Sequence, residues 1–113
     1  MERPVDYEFD ALKREFLAEA MDKVMEIETT LDGDRSPDRI DRLTYLAHQL
    51  KGSGGSYGFQ RISTDAAELE KAVEGLARGT DAGRLEEKIQ QHVVNLRAEI
   101  DKRSRELSAL AAN

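Results

Sequence analysis

The chain has no cysteine and no tryptophan among its 113 residues, only two prolines, and an aromatic content of 5%. Without cysteine there can be no disulfide framework, no thiolate zinc site and no cysteine nucleophile, and a reducing compartment fits. The prolines are Pro4 and Pro37, so every long stretch is free of the strongest helix breaker. No run of about 18 apolar residues occurs, and Met1 to Asp10 lacks the apolar centre of a signal peptide. These absences point to a cytoplasmic protein that engages no membrane. Excess positive charge is missing too. A formal net charge of -6 argues against nucleic acid, which is held through clustered Lys and Arg, and favours proteins as partners.

What is present is charge and helical periodicity. With 39% hydrophobic and 35% charged residues, the composition suits helices that each bury one stripe. The length suits one core, so residues 1–113 are expected to form a single domain. Phe9, Leu12, Phe16, Ala20, Val24, Ile27 and Leu31 recur at steps of three and four, predicting a first helix that stops at Leu31-Asp32-Gly33-Asp34. Ser36 reads as the N-cap of a second helix with Pro37 at its first position. Its apolar face is Ile40, Leu43, Leu46, Ala47 and Leu50, and it runs into Gly52-Ser53-Gly54-Gly55-Ser56-Tyr57-Gly58. There its end stays open, because each glycine disfavours helix by about 1 kcal/mol relative to alanine. Phe59, Ile62, Ala66, Leu69, Val73 and Leu76 predict a third helix ending near Gly79. A fourth starts around Asp81 and continues through Leu85, Ile89, Val93, Leu96, Ile100, Leu107 and Leu110, fraying towards Asn113. No alternating apolar and polar run competes, so the expected fold is all-α, an up-and-down antiparallel four-helix bundle.

The sequence holds two histidines, and helical geometry separates them. At 100° per residue, His48 points about 140° away from the apolar direction of the second helix and therefore into solvent. Gly52 and Gly55 lie within about 40° of it, one and two turns on. Alanine would be better on an exposed helix face, so glycines there suggest that something must approach the backbone closely. Lys51, a surface neighbour of His48, brings a cation within reach of any anion attached to the ring, and Ser53 offers a hydroxyl donor nearby. An accessible imidazole, an adjacent ammonium and a cleared surface suit an intermediate nucleophile better than a complete active site. His92 lies beside the apolar stripe of the fourth helix with no glycines or paired metal ligand, and reads as structural. No metal site is expected. The glycine-rich stretch lacks the spacing and the preceding strand of a phosphate-binding loop. The Glu, Lys and Arg residues of the last helix read as its solvated face.

The segment Ala47-His48-Gln49-Leu50-Lys51-Gly52-Ser53-Gly54-Gly55-Ser56-Tyr57-Gly58-Phe59 resembles the signature of histidine-containing phosphotransfer domains. The match comprises the histidine, the lysine at +3, glycines at +4, +7 and +10, and an apolar residue at +9. Gly55-Ser56-Tyr57-Gly58-Phe59 and Phe16-Leu17-Ala18-Glu19-Ala20 are also similar to the N-terminal domain of chemotaxis-type histidine kinases. That variant often carries a further histidine on its third helix, where this chain has Ala67, a departure from that branch.

The resemblance implies that His48 is the phosphorylated residue. It also implies that Glu70, which matches the glutamate that orients the imidazole in the chemotaxis variant, does so here. Glu70 flanks the third helix's apolar stripe by about 80°, which allows contact with the second helix. The implied partners are response-regulator receiver domains and a sensor histidine kinase. The implied protein is a monomeric phosphocarrier rather than an enzyme, with no bound cofactor and with Mg2+ supplied on the partner. Docking is expected around His48 through Thr44, Tyr45, Gly52, Ser53, Gly55 and Ser56. Two other readings stand beside this one: a helical adaptor that is never phosphorylated, and the phosphoacceptor domain of a larger chemotaxis-type kinase. Met1 and the closing Ser108-Ala109-Leu110-Ala111-Ala112-Asn113 favour a free-standing protein over the latter.

Overall fold

The computed structural model describes residues 7–79 and 81–111. Of the residues on which the free-standing reading rests, Met1, Ala112 and Asn113 lie outside the described residues. Four helices follow one another: α1 (Tyr7–Leu31), α2 (Pro37–Ser56), α3 (Gln60–Ala77) and α4 (Ala82–Ala111), with no strand among the described residues. Each packs on two neighbours in a ring, α1 on α2, α2 on α3, α3 on α4 and α4 on α1. Side-chain pairs give the directions. Along the α1/α2 seam Glu26 meets Arg42 while Phe16 meets Tyr57. Along α2/α3 His48 meets Glu70 while Gly55 faces Ser63. Numbers rise on one helix as they fall on the next, as they do for Arg14 with Leu107 and Glu28 with Arg97 on α1/α4. The result is the expected up-and-down antiparallel bundle, a rod of 56 × 21 × 20 Å.

The buried residues form one cluster to which every helix contributes, with Leu17 and Ile27 from α1, Leu43, Leu46 and Leu50 from α2, Ile62 and Leu69 from α3, and Ile89, Leu96 and Ile100 from α4. Truncating such a side chain to alanine costs about 2–5 kcal/mol. The periodicity overreached at one end of the rod. Phe9, Leu12 and Leu110, expected on the apolar faces, are exposed. Phe16 stacks on Tyr57 and Phe59 at the α2–α3 turn, with centroids 5.1 and 5.7 Å apart. The first turns of α1 and the last of α4 lie at that end of the rod, where Phe9 still stacks on Tyr57, with centroids 6.3 Å apart, yet stays partly exposed.

The boundaries are set by caps. Ser36 precedes α2 as expected, but its hydroxyl makes no capping bond, and its backbone N–H donates to Asp34 Oδ1 at 3.0 Å instead. α2 continues through Gly52, Gly54 and Gly55 to Ser56. It closes where Gly58 N–H donates to Gly55 O at 3.1 Å and Phe59 N–H to Gly54 O at 2.8 Å, with Gly58 at φ +81°. This paired closure around a left-handed residue is the Schellman arrangement, and it explains why position 58 is glycine. Phe59 caps α3 rather than beginning it.

Gly54 is buried, and a Cβ there would stand 3.1 Å from the Ser63 backbone nitrogen and 3.2 Å from Ile62 Cγ2, whereas one at Gly52 would meet nothing within 4 Å. The first glycine permits the α2/α3 contact, and the second is not required by anything in the bundle. Gly52→Ala should therefore stabilise the fold by up to about 1 kcal/mol. Gly54→Val should lower the urea midpoint, because α3 backbone must move.

The α1–α2 connection is pinned by Arg35, which donates to both Glu86 carboxylate oxygens at 2.7 and 2.8 Å and to the carbonyls of Leu31 and Gly33 at 3.0 and 2.9 Å. One guanidinium thus satisfies orphan carbonyls at the end of α1 and ties the loop to α4. The hydrogen bonds from Arg35, outweighing burial, hold the Glu86 carboxyl below its ordinary value of 4.5. A carboxyl whose pKa falls on folding stabilises the fold above its unfolded value, and that contribution is lost as pH drops through the lowered folded value. Thermal melts between about pH 6 and pH 3 should show a shallower acid loss for Glu86→Gln than for the parent, with a lower Tm at neutral pH.

Candidate functional site

His48 sits about three-fifths of the way along α2, directly after the buried pair Leu46 and Ala47. Burial of Leu43, Leu46, Ala47 and Leu50 fixes the rotation of α2 and turns His48 outward, its side chain 66% exposed. Glu70 reaches it from α3. That carboxylate, only 13% exposed, spans two cations or donors at once: Oε2 lies 2.9 Å from His48 Nδ1 and Oε1 lies 2.8 Å from Lys51 Nζ.

Burial alone would raise the Glu70 pKa, but the hydrogen bonds from Lys51 and His48 together outweigh it and leave the carboxyl below its ordinary value. Glu70 is therefore ionised at neutral pH and can only accept. The short contact then requires the ring proton on Nδ1, and in the neutral ring this leaves the Nε2 lone pair directed away from Glu70. An exposed imidazole held in one tautomer by a carboxylate is a positioned nucleophile.

The remaining expected residues divide around the axis of α2. Thr44, Lys51 and Gly55 lie on the α3 side of His48, within about 60° of it, while Gly52, Tyr45 and Ser56 lie on the α1 side, within about 80°. Gly52, Gly55, Ser56 and Tyr45 are exposed; Thr44 is half-buried, its hydroxyl donating to Ile40 O at 3.0 Å. Ser56 is likewise bonded within its own helix, to Gly52 O at 3.1 Å. Ser53 does not join the group. Five residues beyond His48, it is turned about 140° away, because each residue advances the helix by 100°, and it lies on the half-buried flank facing α1. Lys51 is where the sequence put it, yet its ammonium is engaged by Glu70 rather than free beside the ring.

Three residues of the site escaped the sequence reading. Ser63 of α3 donates to Lys51 O at 2.8 Å, and its Oγ would stand 3.6 Å from a Cβ at Gly55. Arg42 and Gln49 hold Tyr45, the first over its ring and the second at its hydroxyl. The spacings from Tyr45, three residues back and four on, were visible in the sequence; Ser63 had no signal there. His92, read as structural, is half-buried between α3 and α4 with Nδ1 3.3 Å from Asp65 Oδ1. Among the described residues no three His, Asp or Glu side chains converge in a way that could hold a metal ion, and no helix is long and apolar enough to cross a membrane.

A helical bundle displaying one oriented, solvent-facing imidazole beside an ion pair defines a class of proteins that offer a histidine to a partner. The family model of the Hpt domain matches residues 11–110, and the chain belongs to the Hpt domain family. Membership carries a role in histidine phosphotransfer within phosphorelays, where Hpt domains work with receiver domains and kinases of two-component systems. No curated protein and no solved structure matches the chain.

Proposed function

We propose that this chain is a phosphocarrier whose phosphoryl group resides on His48 Nε2. The observation that carries the reading is the 2.9 Å contact of Glu70 Oε2 with Nδ1, which leaves Nε2 of an exposed ring as the attacking nitrogen. The Nε2 lone pair attacks phosphorus in line. The bond from phosphorus to the leaving oxygen breaks, and its electron pair departs with the aspartate carboxylate of a receiver domain or with ADP from a kinase-bound ATP. The phosphoimidazole keeps its Nδ1 proton, and Glu70 offsets the resulting positive charge. Transfer to a second receiver aspartate is the reverse step.

Lys51, anchored on Glu70, has the length and flexibility to share its ammonium with the phosphoryl oxygens. Mg2+ and the acidic pocket belong to the partner receiver or kinase, so the chain needs no bound cofactor and completes no turnover alone. Thr44, Tyr45, Gly52, Gly55 and Ser56 form the docking face, with no side chain at the two glycines to hold a partner off. The protein in this reading is a cytoplasmic monomer acting as one domain.

Incubation with a phosphorylated receiver or an ATP-loaded cognate kinase should label the parent protein, and His48→Gln should reduce the label to background. Background labelling of the parent as well would give the chain the role of a non-phosphorylated adaptor, and equal labelling of both above background would put the phosphoryl group on a residue other than His48. Glu70→Gln, which cannot hold Nδ1–H as an ion, should slow acceptance roughly tenfold. Gly55→Gln, on an exposed helical site, should keep the helical circular-dichroism signal and block transfer by placing a side chain where the partner must sit.

A further inference from the structure

The surface beside His48 is not the same on its two sides. Towards α3 lie the Lys51–Glu70 ion pair and the bare backbone of Gly55. Towards α1, about 60° round from His48 and one turn earlier, stands Tyr45, a large ring that is 50% exposed. Its freedom is limited at both ends. The Arg42 guanidinium carbon lies 5.3 Å from the ring centroid, and Gln49 Nε2 donates to the hydroxyl at 2.6 Å. Arg42 is itself held from α1, its Nη2 2.9 Å from Glu26 Oε1. The hydrogen bonds of Arg42 lower the Glu26 pKa and outweigh its partial burial, so the pair is charged at neutral pH.

An exposed aromatic side chain ordinarily loses rotamer freedom when a partner covers it, and that loss subtracts from affinity. Here Arg42 and Gln49 have already fixed the ring in the free protein. Because Glu26 neutralises Arg42, a partner that covers this corner need not supply a counter-charge of its own. What is left on offer is the outer ring face, and tyrosine and arginine are among the residues in which interface energy is most often concentrated.

We propose that Tyr45, clamped by Arg42 and Gln49, is the specificity-determining anchor for the receiver domain that exchanges phosphoryl with His48. It reads an apolar side-chain patch on that receiver next to its aspartate pocket. The inference rests on the phosphocarrier reading, and the two fail in different ways. Because Tyr45 holds the partner and touches neither phosphorus nor Nε2, its loss acts on the encounter rather than on the transfer step.

The test is phosphotransfer from purified, acetyl-phosphate-loaded receivers of one organism to the full chain, with initial rates measured over a range of receiver concentration. For the receivers that label the parent protein, Tyr45→Ala should raise KM roughly ten- to thirty-fold, with kcat within about twofold. Tyr45→Phe, which keeps the ring, should restore KM to within about threefold of the parent, and Arg42→Ala, which keeps the ring but frees it, should give an intermediate rise. Circular-dichroism melts of each variant establish that the bundle is intact. An unchanged KM in Tyr45→Ala, or a fall confined to kcat, overturns the anchor while leaving the phosphocarrier reading in place. Absence of His48 label from every receiver and from the kinases overturns the phosphocarrier reading and the anchor with it.

Discussion

The close approach of α2 and α3 at Gly54 is the constraint on which the site depends. With no Cβ at that buried position, the two backbones come near enough for Ser63 to hydrogen-bond the Lys51 carbonyl and for Glu70 to reach both Lys51 and His48. A bulkier residue would push α3 outward and disturb the contacts at 2.9 and 2.8 Å that Glu70 makes with His48 and Lys51. The Schellman closure at Gly58 and the stack of Phe16, Tyr57 and Phe59 hold the same end of the seam from the other side. The core sets the rotation of α2, and the seam sets what His48 meets.

Electrostatics then follows from position. Glu70 is the most enclosed member of its cluster, so its ionisation depends on its two partners, and those partners are in turn held by it. One carboxylate orders an ammonium and an imidazole that would otherwise be mobile on an exposed helix face. On the opposite flank a second network, Glu26 with Arg42 and Tyr45 with Gln49, orders the surface without touching the ring. His48 therefore stands in solvent between two prearranged walls of different chemistry.

Much of this was legible in the sequence, and the reasons can be given residue by residue. The spacing of Ala20, Val24 and Ile27, and its equivalents on the other helices, reports burial because apolar side chains one turn apart must share a face. The same rule could not tell that Phe9, Leu12 and Leu110 stay exposed at the end of the rod, since periodicity says which face is apolar and not how far a neighbour covers it. Gly52, Gly54, Gly55 and Gly58 look alike as letters. Only the packing separates them into an open surface position, a contact between helices, a second cleared position and a left-handed cap. Ser53 was misplaced because nearness in the chain is not nearness around a helix, where five residues make well over one turn.

By itself the sequence determined the number and type of the elements, the outward direction of His48 and the pairing of that histidine with a lysine one turn on. All of these are local, set by the 100° step of one helix and by which side chains avoid water. The tertiary structure decided that Glu70 binds Nδ1, that Lys51 is engaged rather than free, that Ser63 braces the seam and that Arg42 is anchored from α1. Each of these joins residues from different helices, whose separation depends on how closely backbones pack, and no period along one chain encodes that distance.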